Sequence, residues 1–357
     1  MNASFLHLYR YSIPFNEPVT VRNHRLLNRE GIIIALKSSD GAMISYGEIA
    51  PLPGLHEETL HMAEHQFMEY IYNHKLSTID LLPEGLFPSV KTGIEIALFN
   101  FKAVNSGIPP FFSSPSPSAS RVPINALLAG ERESIIVRAE TLYNLGYRTF
   151  KLKVTPKNAE QTLGVIRELS LKFGETVALR LDANQSFSLD EAVEFSKNII
   201  RDNISYIEEP LTDPILIGEF HARTAVRSAL DETLWQQPYL MRSFPPGALK
   251  ALVLKPNRLG GIVETLRLAQ YARENNLLAV LSSAFESGIS LSFYAWLAAH
   301  TSTEPAASGL DTGRYLEYDL LDLPFGSSSD TLTPQELYWN GHKVATSHLK
   351  PSSIWTL

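Results

Sequence analysis

The sequence predicts an α/β protein in which a (β/α)8-type barrel follows a smaller α+β domain. Eight short apolar runs recur about every 20 to 30 residues between positions 122 and 311. The stretches between these runs have apolar residues at helical spacing, as in SLDEAVEFSKNII at 188–200. Short strands that alternate with amphipathic helices are typical of a parallel sheet. Eight such units favour a closed barrel over an open doubly wound sheet, which remains the alternative.

Composition narrows the class of protein. The chain has 357 residues, 44% of them hydrophobic and 19% charged, which is enough apolar material for a large core. Its net charge of −7 and the lack of a Lys/Arg-rich run argue against a nucleic acid partner. Without cysteine, only oxygen or imidazole ligands remain for a metal. Because no apolar run approaches about 20 residues and no signal-peptide pattern opens the chain, we expect a cytoplasmic protein with no membrane partner.

The N-terminal region has a different pattern from the rest. EGIIIALKSSDGAMISYGEIAP at 30–51 predicts two strands around an Asp-Gly turn, and the stretches at 56–74 and 89–107 have helical periodicity. A Pro/Ser-rich stretch at 108–123 resembles a linker. We therefore predict an α+β domain at 1–118, the barrel at 119–311, and a C-terminal segment at 312–357 that packs back on the first domain. The pattern does not determine whether the protein is a monomer or a homo-oligomer.

The eight apolar runs are the predicted barrel strands, one to eight in chain order. They are VPINALLAG at 122–130, TFKLKV at 149–154, VALRLDAN at 177–184, SYIEEPL at 205–211, VRSALDET at 226–233, ALVLKPN at 251–257, LAVLSSAFES at 278–287 and AASGLD at 306–311. No Gly-rich phosphate-binding fingerprint follows any of them, since NRLGG at 257–261 lacks the required spacing. A nucleotide cofactor is therefore not expected.

Charged and amide side chains stand where four of these strands end. They are Asp182 and Asn184 after the third run, Glu208 and Glu209 after the fourth, Asp231 and Glu232 after the fifth, and Lys255 after the sixth. In a barrel, the carboxyl ends of the strands surround one site, so residues far apart in sequence meet there. The sequence therefore predicts one polar site at this end.

The second run adds two lysines. Side chains in a strand alternate between two faces, so Lys151 and Lys153 point to the same side. Taken alone, such a pair favours a solvated strand face, and the Asp residues of LDAN and LDET could equally be helix caps. The regular order of lysine pair, three acidic ends and a further lysine, one strand at a time, favours a site.

Three of the acids suit a metal. Asp182, Glu208 and Asp231 would repel one another without a cation, and all-oxygen ligands favour Mg²⁺, with Mn²⁺ as the other possibility. A metal ringed by acids and flanked by lysines suits removal of a proton from the carbon next to a carboxylate, because the negative charge that develops is then stabilised. The expected partner is a small-molecule carboxylate substrate.

The order K-x-K, D-x-N, E-x-P, D-E and K-P-x-x-x-G-G along strands two to six resembles the enolase superfamily, in particular its muconate-lactonising branch. Four further stretches resemble the o-succinylbenzoate synthase family of that branch: GEIAPLPG at 47–54, RLDAN at 180–184, SSAFESG at 282–288 and SGLDT at 308–312. The resemblance covers essentially the whole chain. It implies the modified TIM barrel of that superfamily, with residues 1–118 as a capping domain over the barrel mouth.

The resemblance also implies roles for individual residues. Lys153 would be the base, Lys151 the neighbouring ammonium that favours its uncharged form, and Lys255 a cation that stabilises the enediolate. The implied metal ligands are Asp182, Glu208 and Asp231; the supporting residues Asn184, Glu209 and Glu232; and the substrate contacts Arg180, Ser282, Ser283 and Gly309.

The implied reaction is a Mg²⁺-dependent syn dehydration of 2-succinyl-6-hydroxy-2,4-cyclohexadiene-1-carboxylate to 2-succinylbenzoate in menaquinone biosynthesis. Two alternatives stay open. An N-acylamino acid racemase or dipeptide epimerase of the same branch would use the same metal and both flanking lysines. A non-catalytic barrel that serves as a binding module is the more remote alternative.

Overall fold

The computed structural model describes residues 3–74, 82–110, 119–302, 304–326 and 330–357. Its N-terminal part contains an antiparallel sheet of four strands. In sheet order these are β13 (Lys350–Thr356), β1 (Phe5–Val21), β2 (His24–Lys37) and β3 (Ile44–Ile49). The C-terminal strand β13 therefore completes the sheet at the N-terminus, pairing with β1 from Phe5 to Arg10.

Two helices pack on this sheet. They are α1 (Leu60–Asn73) and α2 (Pro88–Ser106). The side chain of Thr59 accepts a hydrogen bond from Met62 N at the start of α1, and α2 ends at Gly107 in the left-handed conformation, as capping preferences predict. Helix α2 lies unusually close to β3, since a Cβ at Gly47 would stand 2.1 Å from the carbonyl oxygen of Gly93. Glycine at 47 allows this approach.

The second part is a curved parallel sheet of seven strands. In order these are β5 (Ala126–Leu128), β6 (Thr149–Lys153), β7 (Ala178–Asp182), β8 (Ile204–Glu208), β9 (Ser228–Leu230), β10 (Leu249–Leu254) and β11 (Leu278–Leu281). The eighth predicted run forms two parallel bridges instead of a strand, Ser308 with Ile124 and Gly309 with Ser282. These bridges join the two edges of the sheet. The predicted (β/α)8-type fold class is confirmed, with its eighth unit reduced to a short contact.

Helices surround the barrel and follow its strands. They are α3 (Arg132–Asn144), α4 (Ala159–Phe173), α5 (Leu189–Lys197), α6 (Ile217–Thr224), α7 (Thr233–Gln236), α8 (Pro256–Leu259), α9 (Ile262–Glu274) and α10 (Gly288–Ala298), with α11 (Pro334–Asn340) in the C-terminal segment. A short antiparallel pair, β4 (Val122–Pro123) with β12 (Thr331–Leu332), lies outside the barrel sheet. No helix in the described part of the chain combines the length and hydropathy needed to cross a bilayer.

Strand alternation separates two buried regions. Phe150 and Leu152 of β6 belong to the main core. A separate buried cluster consists of Tyr206, Ala229, Ala251, Val253 and Val280, from successive strands. Because side chains two apart share a face, the next position along each of these strands continues the same inner surface. Those next positions are Glu208, Asp231, Lys255 and Ser282, so the apolar cluster forms the floor beneath the predicted site.

The predicted domain boundaries stay predictions. Residues 111–118, which include the end of the predicted first domain and half of the predicted linker, lie outside the described residues. The C-terminal segment does contribute β13 to the N-terminal sheet.

Candidate active site

The polar residues predicted at the strand ends lie at one end of the barrel. Lys153, Asp182 and Glu208 are the last residues of β6, β7 and β8, and the strand register places them side by side. Asp231 and Lys255 directly follow β9 and β10. Parallel strands bring these positions together because their carboxyl ends share one side of the sheet.

A second row lies two residues nearer the strand starts, on the same inner face. It contains Lys151, Arg180 and Tyr206, which are in register on β6, β7 and β8. The Arg180 guanidinium carbon is 5.3 Å from the centroid of the Tyr206 ring. Lys151 and Lys153 therefore occupy successive layers of the barrel interior.

Two lysines form ion pairs with the three acids. Lys151 Nζ is 2.9 Å from Asp182 Oδ2 and 2.9 Å from Glu208 Oε1. Lys255 Nζ pairs with Asp231 Oδ2 and is 5.7 Å from the centroid of the Trp235 ring. These pairs leave Asp231 Oδ1 buried without a hydrogen-bond partner among the described residues.

Burial and charge shift the pKa values in this cluster. Burial raises the pKa of Glu208 and raises that of Asp231 still more, and neighbouring carboxylates add to both shifts. Burial alone would raise the pKa of Asp182 and lower those of Lys151 and Lys255. For these three groups the opposite charges outweigh burial, so the pKa of Asp182 is lowered and the pKa values of both lysines are raised. The lysines are therefore charged at neutral pH.

The predicted supporting residues connect these groups. Lys153 Nζ donates to Asn184 Oδ1 at 3.0 Å, and Asn184 Nδ2 donates to Glu232 Oε1 at 3.1 Å. Glu209 accepts hydrogen bonds from the backbone amides of Asp231 and Thr233, both at 2.7 Å. Burial, with the charge of Glu232 added, raises the pKa of Glu209 to about 7. Glu209 thus holds the backbone that carries Asp231.

Backbone strain is concentrated at this end of the barrel. Of the seven non-glycine residues with positive φ in the described chain, four lie in the loops after β7, β8 and β11: Asn184, Gln185, Glu209 and Phe285. Such conformations cost free energy and persist where the surrounding structure enforces them, frequently at functional sites. The strand pattern of the sequence does not predict these turns, because Glu and Phe rarely adopt a positive φ.

The available ligand atoms are carboxylate oxygens, the type that a divalent hard cation prefers. They belong to Asp182, Glu208 and Asp231, and the free buried Asp231 Oδ1 and the raised pKa values show that more positive charge would be accommodated. Within the described ranges, however, no three His, Cys, Asp or Glu side chains are close enough to hold one ion as they stand. Lys151 Nζ instead lies between Asp182 and Glu208, and Lys255 Nζ pairs with Asp231. Ligation would require the carboxylates to turn from the lysines to the metal.

A cavity of about 480 Å³ opens above the cluster. The predicted residues on its wall are Lys151, Lys153, Asp182, Asn184, Glu232, Lys255, Ser282, Ser283 and Gly309. Glu208, Glu209 and Asp231 are almost fully buried and lie beneath this wall. A cavity of this size suits a small organic molecule.

The four predicted substrate contacts have different surroundings. Ser282 lines the cavity, and an added Cβ at Gly309 would stand 2.8 Å from Ser282 Oγ, so glycine keeps this wall open. The Ser283 hydroxyl donates to Gly309 O at 2.9 Å and is 2.8 Å from Thr312 Oγ1. Arg180 is 4% exposed and is not part of the cavity wall. It lies directly behind Asn125.

Among the wall residues that were not predicted from the sequence, two carry polar groups that bear on the substrate: Asn125 and Arg22. Asn125 is a buried amide in the otherwise apolar first run, and this single polar position was an available signal. Arg22 lies at the turn between β1 and β2 with a φ of 51° and reaches the cavity from the N-terminal part. No local pattern indicated that contact. A larger groove of about 790 Å³ runs along the same turn and contains none of the predicted site residues.

Two family models match the chain. Residues 135–336 match the model described as Enolase C-terminal domain-like, and residues 4–101 match the one described as MenC, N-terminal domain. Together they span both structural parts. The first covers more than half of the chain.

Sequence relatives align over most of this chain. The o-succinylbenzoate synthase of Haemophilus influenzae is 32% identical over 328 residues, covering 90% of this chain and 93% of that protein. The o-succinylbenzoate synthase of Pasteurella multocida is 31% identical with the same coverage of both proteins. The chloroplastic protein PHYLLO of Arabidopsis thaliana is 32% identical over 82% of this chain but only 20% of its own length.

Solved structures with the same fold are more distant in sequence. A dipeptide epimerase from Enterococcus faecalis, complexed with Mg and the dipeptide L-Leu-L-Tyr, has a TM-score of 0.82 at 19% identity, covering 98% of this chain and 100% of that one. A member of the enolase superfamily from Roseovarius nubinhibens has a TM-score of 0.83 at 16% identity, covering 99% of both chains. At these identities the likeness concerns the fold.

Proposed function

Because the chain belongs to the enolase superfamily and, within it, to the family of the Haemophilus and Pasteurella o-succinylbenzoate synthases, we propose that it is a cytoplasmic, Mg²⁺-dependent lyase of menaquinone biosynthesis. The proposed reaction is the syn dehydration of 2-succinyl-6-hydroxy-2,4-cyclohexadiene-1-carboxylate to 2-succinylbenzoate. The observation that carries the proposal is the grouping of three lysines and three carboxylates around the floor of one cavity.

Lys153 is the proposed base. Its amine is on the cavity wall and is held by Asn184. Uncharged Lys153 removes the proton from the carbon that bears the ring carboxylate, and the electron pair moves into that carboxylate. The pair then returns to form the ring double bond as hydroxide leaves the adjacent carbon and takes the proton back from Lys153. One water is released, and a single group on one face serves a syn elimination.

Lys151 supports this base through its charge. Its ammonium is held by Asp182 and Glu208, and its raised pKa keeps it positive. The proposed contribution of Lys151 is this fixed positive charge, two residues from Lys153 on the same strand face.

Lys255 is the proposed cation on the other side of the substrate. Strands β6 and β10 are separated by three strands, so Lys153 and Lys255 approach the cavity from opposite sides. The neighbouring carboxylates, chiefly Asp231, outweigh burial and keep Lys255 charged, and its ammonium would stabilise negative charge as it develops on the substrate carboxylate.

Asp182, Glu208 and Asp231 are the proposed ligands for Mg²⁺ or Mn²⁺. The bound cation would supply positive charge next to the substrate carboxylate. With these ligands at the ends of adjacent strands, the ring carboxylate would lie on the β7–β9 side of the cavity. The succinyl group would then extend towards β5, β11 and the bridges that Ser308 and Gly309 make with Ile124 and Ser282, and Arg22 at the rim suits its terminal carboxylate.

Epimerisation of N-acylamino acids or dipeptides is the second candidate. It is favoured by the presence of both Lys153 and Lys255 on the cavity wall, since a two-base reaction needs an amine on each side. The same residues serve both reactions, so only substrates separate them.

The test uses the purified protein with Mg²⁺. Loss of the cyclohexadiene substrate is followed in the ultraviolet, and α-proton exchange of N-succinyl amino acids and dipeptides is followed in D₂O. Rapid dehydration with little exchange supports the proposal. Exchange without dehydration would instead support the epimerase. The absence of both activities would favour a non-catalytic binding module.

A further inference from the structure

We propose that Asn125 is a specificity-determining residue whose side-chain NH₂ donates a hydrogen bond to the ketone oxygen of the substrate's succinyl group. This inference rests on the proposed function and extends it to the part of the substrate that is remote from the metal ligands. Two residues carry this inference. Asn125 lies on the cavity wall, and Arg180 lies behind the wall and orients the Asn125 side chain.

Arg180 sets the direction of the Asn125 amide. Its Nη1 donates to Asn125 Oδ1 at 3.0 Å and to the carbonyl oxygen of Ala307 at 2.6 Å. A guanidinium can only donate, so the atom that faces it must be the amide oxygen. The NH₂ group therefore points away from Arg180.

The backbone around Asn125 is also held. Its amide N donates to Ser308 O at 3.0 Å, which joins the first strand run to the segment that closes the barrel. Tyr206 packs against the Arg180 guanidinium, and both residues are almost fully buried. Arg180 therefore has little freedom, and Asn125 is presented in one orientation.

The NH₂ group of Asn125 has no partner of its own. Nδ2 makes no hydrogen bond to any residue in the described ranges, yet Asn125 is only 6% exposed and lines the cavity. An amide donor at a nearly buried position needs an acceptor, because leaving it unpaired costs free energy. The cavity is the place from which that acceptor would come.

The position in the barrel identifies the acceptor. Asn125 directly precedes β5 and lies beside Ser282 and Gly309, on the part of the cavity wall away from β8 and β9, which lead to Glu208 and Asp231. With the ring carboxylate at the acids, the group that reaches Asn125 is the succinyl side chain. Its ketone is next to the ring and can only accept, whereas its terminal carboxylate suits the exposed Arg22 at the rim.

The matched variant is Asn125→Asp. An aspartate is almost the same shape and still accepts from Arg180, so the support of Arg180 is kept while the NH₂ donor is replaced by an oxygen that repels a ketone. Asn125→Ala removes the donor with a smaller side chain and serves if the first variant fails to fold. Circular dichroism checks folding in each case.

Calorimetric titration in Mg²⁺ compares three probes, 2-succinylbenzoate, 2-butyrylbenzoate and benzoate. The Kd for the first two is expected to rise about tenfold or more in Asn125→Asp, which corresponds to the loss of one hydrogen bond, with benzoate within about twofold of wild type. An unchanged Kd for 2-succinylbenzoate would overturn the inference, as would equal weakening of all three probes. Loss confined to 2-succinylbenzoate would overturn the ketone assignment.

Wild-type turnover separates the two proposals. If the wild-type protein dehydrates the cyclohexadiene substrate but Asn125→Asp binds all probes normally, only the role of Asn125 is rejected. If the wild-type protein neither turns over this substrate nor binds 2-succinylbenzoate, the proposed function fails, and the inference that rests on it fails as well.

Discussion

Lys153 is the most exposed of the three lysines at the barrel mouth, and among the described residues its amine has one hydrogen bond, to Asn184. Lys151 and Lys255 are instead mostly buried and paired with carboxylates. The lysine with the fewest constraints is the one that the proposed reaction requires to exchange a proton. The two paired lysines serve as fixed charges.

Lys153→Ala is therefore expected to lower kcat by about 10³-fold or more, because general acid and base catalysis by one residue contributes on this scale. Folding and binding of 2-succinylbenzoate should change little, since Lys153 makes no ion pair with the acids. Steady-state kinetics and calorimetry measure the two effects. Lys197→Ala, which removes an exposed lysine paired with Glu194, is the control and should keep full activity. Substantial turnover by Lys153→Ala would reject the assigned base.

Substitutions of Lys255 test whether a positive charge or a proton transfer is needed on the side of the substrate opposite Lys153. Lys255→Arg keeps a positive charge but cannot act as a base, whereas Lys255→Met loses both. In the proposed dehydration the arginine variant should exceed the methionine variant by about tenfold in kcat, because one charge-assisted contact is worth about this much. Equal and complete loss in both variants would instead favour the two-base epimerisation.

The position of Lys151 was predictable from the sequence, but its ion pairs were not. The two-residue spacing correctly places it on the same strand face as Lys153. Its ion pairs with Asp182 and Glu208 depend on side-chain distances between three strands, which no local pattern contains. Its role as the charged neighbour of the base stays a prediction.

At the scale of elements, the N-terminal part stabilises two helices of the barrel. Glu48 on β3 accepts hydrogen bonds from Ser287 N at 3.0 Å and Ser290 N at 3.3 Å at the start of α10. Glu95 on α2 accepts from Ile262 N and Val263 N at the start of α9. A carboxylate at a helix start satisfies free amides and interacts favourably with the dipole. Both helices follow loops that carry cavity residues.

Removal of Glu48 should therefore destabilise the whole protein. Glu48→Ala leaves the buried amide and hydroxyl of Ser287 and the hydroxyl of Tyr11 without their acceptor, so we expect a loss of about 3 kcal/mol in the free energy of unfolding. Urea denaturation measures it. Glu194→Ala, at an exposed position, should change stability by less than about 0.5 kcal/mol. A Glu48→Ala variant as stable as this control would show that the contact contributes nothing.

Glu286 makes stability depend on pH. Burial raises its pKa to about 7, and its Oε1 has no hydrogen-bond partner among the described residues. The folded state thus binds this proton more tightly than the unfolded chain, whose carboxyl has the ordinary value of 4.5. The stabilisation is complete below pH 4.5 and is lost as the pH rises through about 7.

Glu286→Gln should remove that loss because the amide does not ionise. Relative to wild type, the variant should gain up to about 3 kcal/mol in unfolding free energy between pH 5 and pH 8. Urea denaturation at several pH values gives the difference between the two proteins, which cancels the titration of other groups. A difference that is the same at all pH values would contradict the shifted pKa.

At the scale of the whole molecule, the cavity belongs to both structural parts. Val19, Thr20, Val21 and Arg22 close one side, with Leu52 and Leu55, while the barrel supplies the lysines and acids. Strand β13, in the C-terminal segment, pairs with β1 and so belongs to the N-terminal sheet. The two parts are therefore not independent in forming the site.

A metal bound by the acids should stabilise the folded protein as a whole. Ligands that bind only the folded state add about 2.7 kcal/mol when their concentration is 100 times Kd. We expect Mg²⁺ to raise the thermal midpoint of the wild-type protein and to have a much smaller effect on Asp182→Asn. Asp190→Asn, which changes an exposed carboxylate, should respond like wild type. An equal Mg²⁺ response in Asp182→Asn would exclude Asp182 as a ligand.

Local sequence patterns were sufficient to predict the fold class and the end of the barrel at which the polar residues meet. They were sufficient because strand and helix periodicity is local, and because parallel strands place all their carboxyl ends on one side. Tertiary structure alone decided that AASGLD closes the barrel through two bridges, that Arg180 lies behind Asn125, and that Arg22 reaches the cavity. Each of these depends on packing between segments distant in the chain, and no period or spacing in the sequence encodes a contact of that kind.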